Sequence, residues 1–230
     1  MQTYDMTKLL LENANPGRGI MLGRSADNKN AVIAYFIMGR SENSRNRIFE
    51  ETEDGIRTKA FDESKMVDPS LIIYHPVRQA GDKFVVTNGA QTDTIRDFLA
   101  AGKTAEAGLR TREFEPDGPN WTPRVSGVRY ACGGYQMSIL KSADPEGSAC
   151  TRNFFEYAPK NGVGRFISTY EGFGSPLPSF HGEPVQMELP QMTAKEYAEA
   201  IWNALNADNK VSLYVKLGEE VIIINKHQEV

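Results

Sequence analysis

Apolar residues fall mainly into short runs bounded by turn formers. Arg18 to Gly23 and Ala31 to Gly39 are two such runs. Between them lies the polar stretch Ser25-Ala26-Asp27-Asn28-Lys29-Asn30, which predicts a hairpin with a loop longer than the tight two-residue type. Leu71 to Tyr74 and Lys83 to Thr87 predict a second pair around Ala80-Gly81-Asp82. Further strands are predicted at Arg124 to Cys132, Gln136 to Lys141, Arg152 to Tyr157 and Gly164 to Tyr170. The last pair is Ser212 to Leu217 and Val221 to Asn225, turning at Gly218-Glu219-Glu220. So many strands at short spacing require two packed sheets or a barrel.

Helical periodicity is rarer. Thr193 and Glu196 have the spacing of a capping box, and Tyr197, Ala198, Ile201, Trp202 and Leu205 follow at helical intervals. A second helix is predicted from Thr92 or Thr94 to Ala101. Its apolar face is Ile95, Phe98 and Leu99, and Gly102 suits its C-terminal cap. A short helix follows around Ala105 to Thr111. The segment from Glu171 to Pro190 is rich in Pro and Gly and reads as a long loop, either a lid or a surface crossing. No repeat or linker divides the chain, so residues 1–230 are expected to form one α+β domain.

Composition narrows the setting. The 230 residues are 40% hydrophobic and 24% charged, an ordinary globular balance that argues against disorder or coiled coil. No apolar run approaches the ~18 residues of a membrane span. The N-terminus lacks the basic start and apolar core of a signal peptide, and the two cysteines, Cys132 and Cys150, are too few for a disulfide framework. A reducing, cytoplasmic setting is expected. The net charge of -4 argues against a general nucleic-acid binder, so no nucleic-acid and no membrane partner is expected. Locally the picture reverses. From Pro16 to Arg47 the chain holds Arg18, Arg24, Lys29, Arg40, Arg45 and Arg47 against only Asp27 and Glu42. A basic pocket in an acidic protein points to a small anion gripped by guanidinium groups, although a solvated basic edge has the same signature.

The chain has no phosphate-loop, HExxH, GxSxG or CxxC motif, and His75, His181 and His227 lack metal-ligand spacing. Chemistry would therefore rest on Arg, Tyr, Asn, Asp or Glu. Four segments stand out. Gly39 to Arg47 offers three guanidiniums with Ser and Asn donors, which suits a phosphate. Val86-Thr87-Asn88-Gly89-Ala90-Gln91-Thr92-Asp93-Thr94 joins a strand to a helix N-terminus, where free amides meet anions. Glu115 in Phe114-Glu115-Pro116-Asp117 is placed to pair with Arg124 or to act as an acid or base. The fourth is Phe166-Ile167-Ser168-Thr169-Tyr170-Glu171, a strand end with polar groups. Each also reads as an ordinary polar loop or turn.

Taken in order, the segments PGRGIMLGR, AYFIMGRSENSRNR, IIYHPVR, VVTNGAQTDTI, TPRV and ISTYE resemble the archaeal-type IMP cyclohydrolase family. The resemblance implies an enzyme, a cyclohydrolase acting on the C–N bond of a cyclic amidine. Its reaction is dehydrative closure of 5-formamidoimidazole-4-carboxamide ribotide (FAICAR) to inosine monophosphate (IMP) in purine synthesis. It implies a four-layer αββα sandwich like that of the N-terminal-nucleophile hydrolases, with no cofactor, no metal and a possible homo-oligomer. The start, Met1-Gln2, offers no terminal nucleophile, so the self-processing chemistry of that fold is not expected. The resemblance implies that Tyr74 donates to the formyl oxygen or departing hydroxide. Glu115 orients the carboxamide or takes its proton, and Asn88 and the Gly89 amide supply oxyanion or ring donors. Arg45 or Arg47, with Arg18 and Arg40, grip the phosphate, Arg124 anchors Glu115 or reaches the substrate, and Asp93 joins the binding set. Two alternatives stay open: a nucleotide-binding protein without catalysis, and an amidohydrolase of the same architecture.

Overall fold

The computed structural model describes residues 2–228, so Met1 lies outside the described residues. Two antiparallel sheets dominate. The strands of the first are β1 (Arg18–Arg24), β2 (Ala31–Met38), β10 (Val163–Ser168), β11 (Val185–Glu188), β12 (Lys210–Leu217) and β13 (Glu220–Asn225), in the order β11-β10-β1-β2-β12-β13. The second contains β3 (Arg47–Thr52), β4 (Gly55–Ala60), β5 (Val77–Ala80), β6 (Lys83–Thr87), β7 (Arg124–Arg129), β8 (Tyr135–Ser142) and β9 (Cys150–Tyr157), in sequence order. Among the described residues five α-helices accompany them: α1 (Met6–Glu12), α2 (Glu42–Arg45), α3 (Gln91–Ala100), α4 (Ala105–Leu109) and α5 (Ala194–Ala204).

The unbroken apolar sequence of β2 follows from burial on both faces. Successive strand residues point to opposite sides. Val32, Ala34, Phe36 and Met38 pack with Met6 and Leu10 of α1 and with Tyr197, Ala198, Ile201 and Trp202 of α5. Ile33, Tyr35 and Ile37 face the other way, into a core shared with Phe49, Ile56, Val77, Val86, Val125 and Met137 of the second sheet. A third cluster joins Ile95, Ala105 and Leu109 of α3 and α4 to Val85, Val128 and Leu140. Helices thus cover the outer side of each sheet, and the two sheets meet across a common core. This is an α+β arrangement compatible with a sandwich.

Most predicted elements are present, with the capping box of α5 closed in both directions between Thr193 and Glu196. Several differ. Leu71 to Tyr74 is not a strand; β5 begins at Val77, after Pro76, and pairs with β6. Tyr74 instead lies against β4, where its amide donates to Thr58 Oγ1 at 2.8 Å and its carbonyl accepts from the Thr58 amide at 2.8 Å. The β3–β4 hairpin was not evident because its outer face is charged; Glu50 stands opposite Arg57 and accepts from its Nε at 2.6 Å. α1 and α2 also lie in segments without a predicted element. The segment 171–190 is not wholly loop, since β11 pairs with β10 within it. The strand predicted over Arg124 to Cys132 ends at Arg129.

Candidate active site

Part of the candidate set, Arg18, Arg47, Tyr74, Glu115 and Arg124, converges at one end of the inter-sheet core. Arg18 opens β1, directly after Gly17. At Gly17 φ is +71°, and an added Cβ would lie 2.2 Å from Thr169 Oγ1, so only glycine fits the turn that delivers Arg18. Arg47 opens β3 and Arg124 opens β7. Glu115 is held on the preceding loop by its amide, which donates to the Thr122 carbonyl at 2.9 Å. Tyr35 arrives from the middle of β2, and its hydroxyl meets that of Tyr74 at 2.8 Å.

Around Glu115 stand two guanidinium groups, Arg18 Nη2 at 3.8 Å and Arg124 Nη1 at 3.9 Å. Arg47 is fully buried nearby, with Nε donating to the Ser44 carbonyl at 2.8 Å. Four polar atoms of this cluster are buried without a hydrogen-bond partner: Arg18 Nε, both terminal nitrogens of Arg47, and Glu115 Oε1. Leaving charged groups buried and unsatisfied is costly, and their concentration at one place marks a site built for a polar ligand.

Electrostatics follow from this crowding. Burial pushes the Glu115 carboxyl up from its usual range, against the pull of Arg18 and Arg124. Burial works against the Arg18 charge, yet the Glu115 carboxylate and the surrounding phenols raise its pKa overall. Burial lowers the pKa of Arg47 and Arg124, and raises that of Tyr35 well above the ordinary phenol value.

Arg18 also lines an open cavity of about 380 Å³, together with Arg40, Ser41, Ser44, Thr122 and Tyr170. The Tyr170 hydroxyl lies 2.5 Å from Thr122 Oγ1, which donates in turn to Asp117. Leu177, from the Pro-rich segment, forms part of the wall, so that segment borders the cavity. The cavity and the buried cluster therefore meet at Arg18.

Other sequence candidates are placed differently. Asn88 is buried with its side chain committed: Nδ2 donates to the Pro123 carbonyl at 2.9 Å, and Oδ1 accepts from the Val125 amide at 2.8 Å and from Gln91 Nε2 at 2.9 Å. Gln91 Oε1 then accepts from Arg124 Nη1 at 2.9 Å. The Gly89 amide is bound to Thr87 Oγ1 at 3.2 Å. What Gly89 supplies is room, since a Cβ there would lie 2.5 Å from Arg124 Nη1. Asp93 is turned toward a separate surface cluster, bonding Arg78 Nη1 at 2.9 Å and lying 3.3 Å from His75 Nδ1. Arg45 holds the Gly39 carbonyl and Asn209 Oδ1. Tyr35, Gln91, Thr122, Asp117 and Tyr170 had no assigned role from sequence. Their residue types are common, and only the fold brings them together.

A family model described as "IMP cyclohydrolase-like protein" matches residues 15–221. A protein named IMP cyclohydrolase from Methanosphaera stadtmanae is 29% identical over 192 residues, covering 81% of this chain and 84% of its own length. One of the same name from Methanococcus aeolicus is 26% identical over 159 residues, covering 67% and 73% respectively. Another, from Methanococcus maripaludis, is 31% identical over 117 residues, covering 49% of this chain and 56% of its own length.

Proposed function

The chain belongs to the IMP cyclohydrolase-like family, and from that membership we propose that it is an enzyme closing FAICAR to IMP with release of water. The observation that carries this reading is the set of four unsatisfied atoms on Arg18, Arg47 and Glu115, beside the Tyr35–Tyr74 pair. A ligand that answers all of them must offer acceptors to guanidinium groups and a donor to a carboxylate. A carboxamide next to a formamide does both.

The reaction joins the carboxamide nitrogen to the formyl carbon of the same molecule. Because the nucleophile is tethered, holding the reactive conformer contributes much of the acceleration. As the C–N bond forms, the formyl π bond breaks and charge gathers on oxygen. Tyr74 donates a proton there, and buried Arg47 stabilises the charge at short range in a water-poor site. Glu115 accepts the proton that the carboxamide nitrogen loses. In the second stage the C–O bond breaks and the hydroxyl leaves as water with the proton that Glu115 took, which restores the carboxylate, while the formamide nitrogen gives its proton to the Tyr74 phenolate, which restores the phenol. No proton is gained or lost overall. A carboxyl whose pKa burial raises suits such two-way transfer.

The phosphate is assigned to the open cavity, with Arg40, Ser41 and Ser44 at its rim and Arg18 at its floor. Arg45, bonded to Gly39 and Asn209, and Arg47, fully buried, are removed from the phosphate set. Asn88, Gln91 and Gly89 act as positioning residues for Arg124. The finer fold reading, a four-layer αββα sandwich related to N-terminal-nucleophile hydrolases, is supported by helices covering both sheets. A cytoplasmic setting accords with a soluble ribotide substrate. The deciding experiment is incubation of purified protein with FAICAR while IMP absorbance is followed. IMP formation upholds the reading; tight IMP binding with no turnover replaces the enzyme by a nucleotide-binding protein.

A further inference from the structure

The inter-sheet core has a second end, remote from Arg18 and Glu115. There β2, β6, β7 and β12 bring Ile33, Phe84, Arg129 and Lys216 around a cavity of about 210 Å³, with Lys29 and Glu219 on turns at its edge. We propose that this cavity is a binding site for a phosphate-type oxyanion, separate from the candidate active site and independent of the cyclohydrolase reading.

Strand register builds it. Lys216 stands opposite Ile33 in one sheet, and Arg129 stands opposite Phe84 in the other. The sheets meet so that Lys216 Nζ lies 5.2 Å from the centre of the Phe84 ring. Lys216 is 8% exposed. Its ion-pair partner is Glu219 at 3.2 Å, whose side chain is 99% exposed and free to swing into water. Arg129 Nε is buried without a hydrogen-bond partner. Asp82 lies within electrostatic reach of Arg129, but its carboxylate bonds Lys83 at 2.8 Å. Lys29 pairs with Asp27 only at 3.9 Å and is largely exposed. The lining therefore carries three cations against one acid.

A sheltered ammonium and an unsatisfied guanidinium nitrogen call for an acceptor that brings negative charge. Arginine's planar fork and lysine's compact charge together suit phosphate oxygens. The volume is too small for a whole ligand of ordinary size, whose pockets run from about 300 Å³ upward. At about 30 Å³ per water, it admits a phosphate group and a few waters. The occupant is therefore inorganic phosphate or the phosphorylated tip of a larger molecule.

Inorganic phosphate and, separately, adenosine 5′-monophosphate are titrated into the full chain by calorimetry at low ionic strength. Arg129→Leu should weaken phosphate binding about ten- to a hundredfold, the range for a lost charge-assisted hydrogen bond. Glu219→Gln, at an exposed position, should tighten it about two- to fivefold by freeing Lys216. Arg40→Ala reports on phosphate at the other cavity and should leave this component in place. Equal sensitivity of both ligands to Arg129→Leu identifies free phosphate as sufficient; a stronger effect on the nucleotide identifies a phosphorylated tip. Wild-type, Arg129→Leu and Glu219→Gln isotherms that superimpose overturn the proposal. If Arg129→Leu does not fold, an unchanged isotherm for Glu219→Gln overturns it alone.

Discussion

Tyr35 and Tyr74 meet hydroxyl to hydroxyl at 2.8 Å, one from the centre of the six-stranded sheet and the other from the segment that Thr58 pins to β4. A phenol pair can pass one proton along its length. If Tyr35 donates to Tyr74, the Tyr74 proton is left for the formyl oxygen. Tyr74→Phe should then lower kcat about a hundred- to ten-thousand-fold, as for other lost proton donors. Tyr35→Phe should lower it less, and adding Tyr35→Phe to Tyr74→Phe should cost almost nothing further. Strictly additive losses in this double-mutant cycle would show that the two phenols act separately.

On the role proposed for Glu115, activity and stability depend on pH in opposite senses. Its folded-state pKa is raised, chiefly by burial. The folded protein therefore holds that proton more tightly than the unfolded chain does. Stability from this group is present at low pH and is lost as pH rises from the ordinary carboxyl value through the raised one. Catalysis by the carboxylate runs the opposite way and should appear as pH rises through the raised value. Glu115→Gln should remove that limb of the kcat/KM profile and cut turnover, while flattening the fall in stability with rising pH. Thermal unfolding across pH checks the second half without any substrate. An unchanged rising limb in the Gln variant would assign the titration to another group.

Arg47 offers a test of the idea that function is retained at the expense of stability. Its guanidinium is fully buried and two of its nitrogens have no partner. Replacing buried ionic groups by well-packed apolar side chains of similar volume is often neutral or stabilising, by up to about 4 kcal/mol. Arg47→Met should therefore raise the ligand-free melting temperature, by about 2–4 °C per kcal/mol for a chain of this size, while turnover collapses. A clear fall in melting temperature would mean that the guanidinium serves the fold.

How much of this could be read from the sequence depended on what each segment buries. β2 was legible because burial on both faces leaves an unbroken apolar run, and α5 because its cap and its stripe agree. The β3–β4 hairpin was not, because Glu50, Glu51, Arg57 and Lys59 mask a one-faced pattern. Leu71 to Tyr74 misled for the converse reason: an apolar run that is held against β4 through Thr58 without joining the ladder as a regular strand. In the site, Arg18, Glu115 and Arg124 lay in recognisable segments, and the structure brings them together. The partition among the arginines was not legible. Whether Arg45 or Arg47 keeps free nitrogens depends on the Gly39 carbonyl and on Asn209, which lies far along the chain.

The chain of hydroxyls along the open cavity yields the last test. Tyr170 lies 2.5 Å from Thr122 Oγ1, and Thr122 donates from its hydroxyl to Asp117 and from its amide to the same carboxylate at 2.7 Å. Burial raises the Tyr170 phenol, with the nearby Arg18 charge opposing it, so the hydroxyl stays protonated and able to donate. Thr122 is thus the link between a cavity-facing phenol and a carboxylate. Thr122→Val keeps the shape and deletes the link, whereas Thr122→Ser keeps the link and loses a methyl group. If the hydroxyl orients Tyr170 toward the substrate, the Val variant should lose about tenfold in kcat/KM, close to one charge-assisted hydrogen bond, and the Ser variant should recover most of it. Both should lose stability, the Val variant by about 1–3 kcal/mol because partners are left unsatisfied. A purely structural Thr122 predicts kinetics that follow stability alone, with Val and Ser equally active wherever both are folded. Steady-state kinetics well below the melting temperature of either variant separate the two cases.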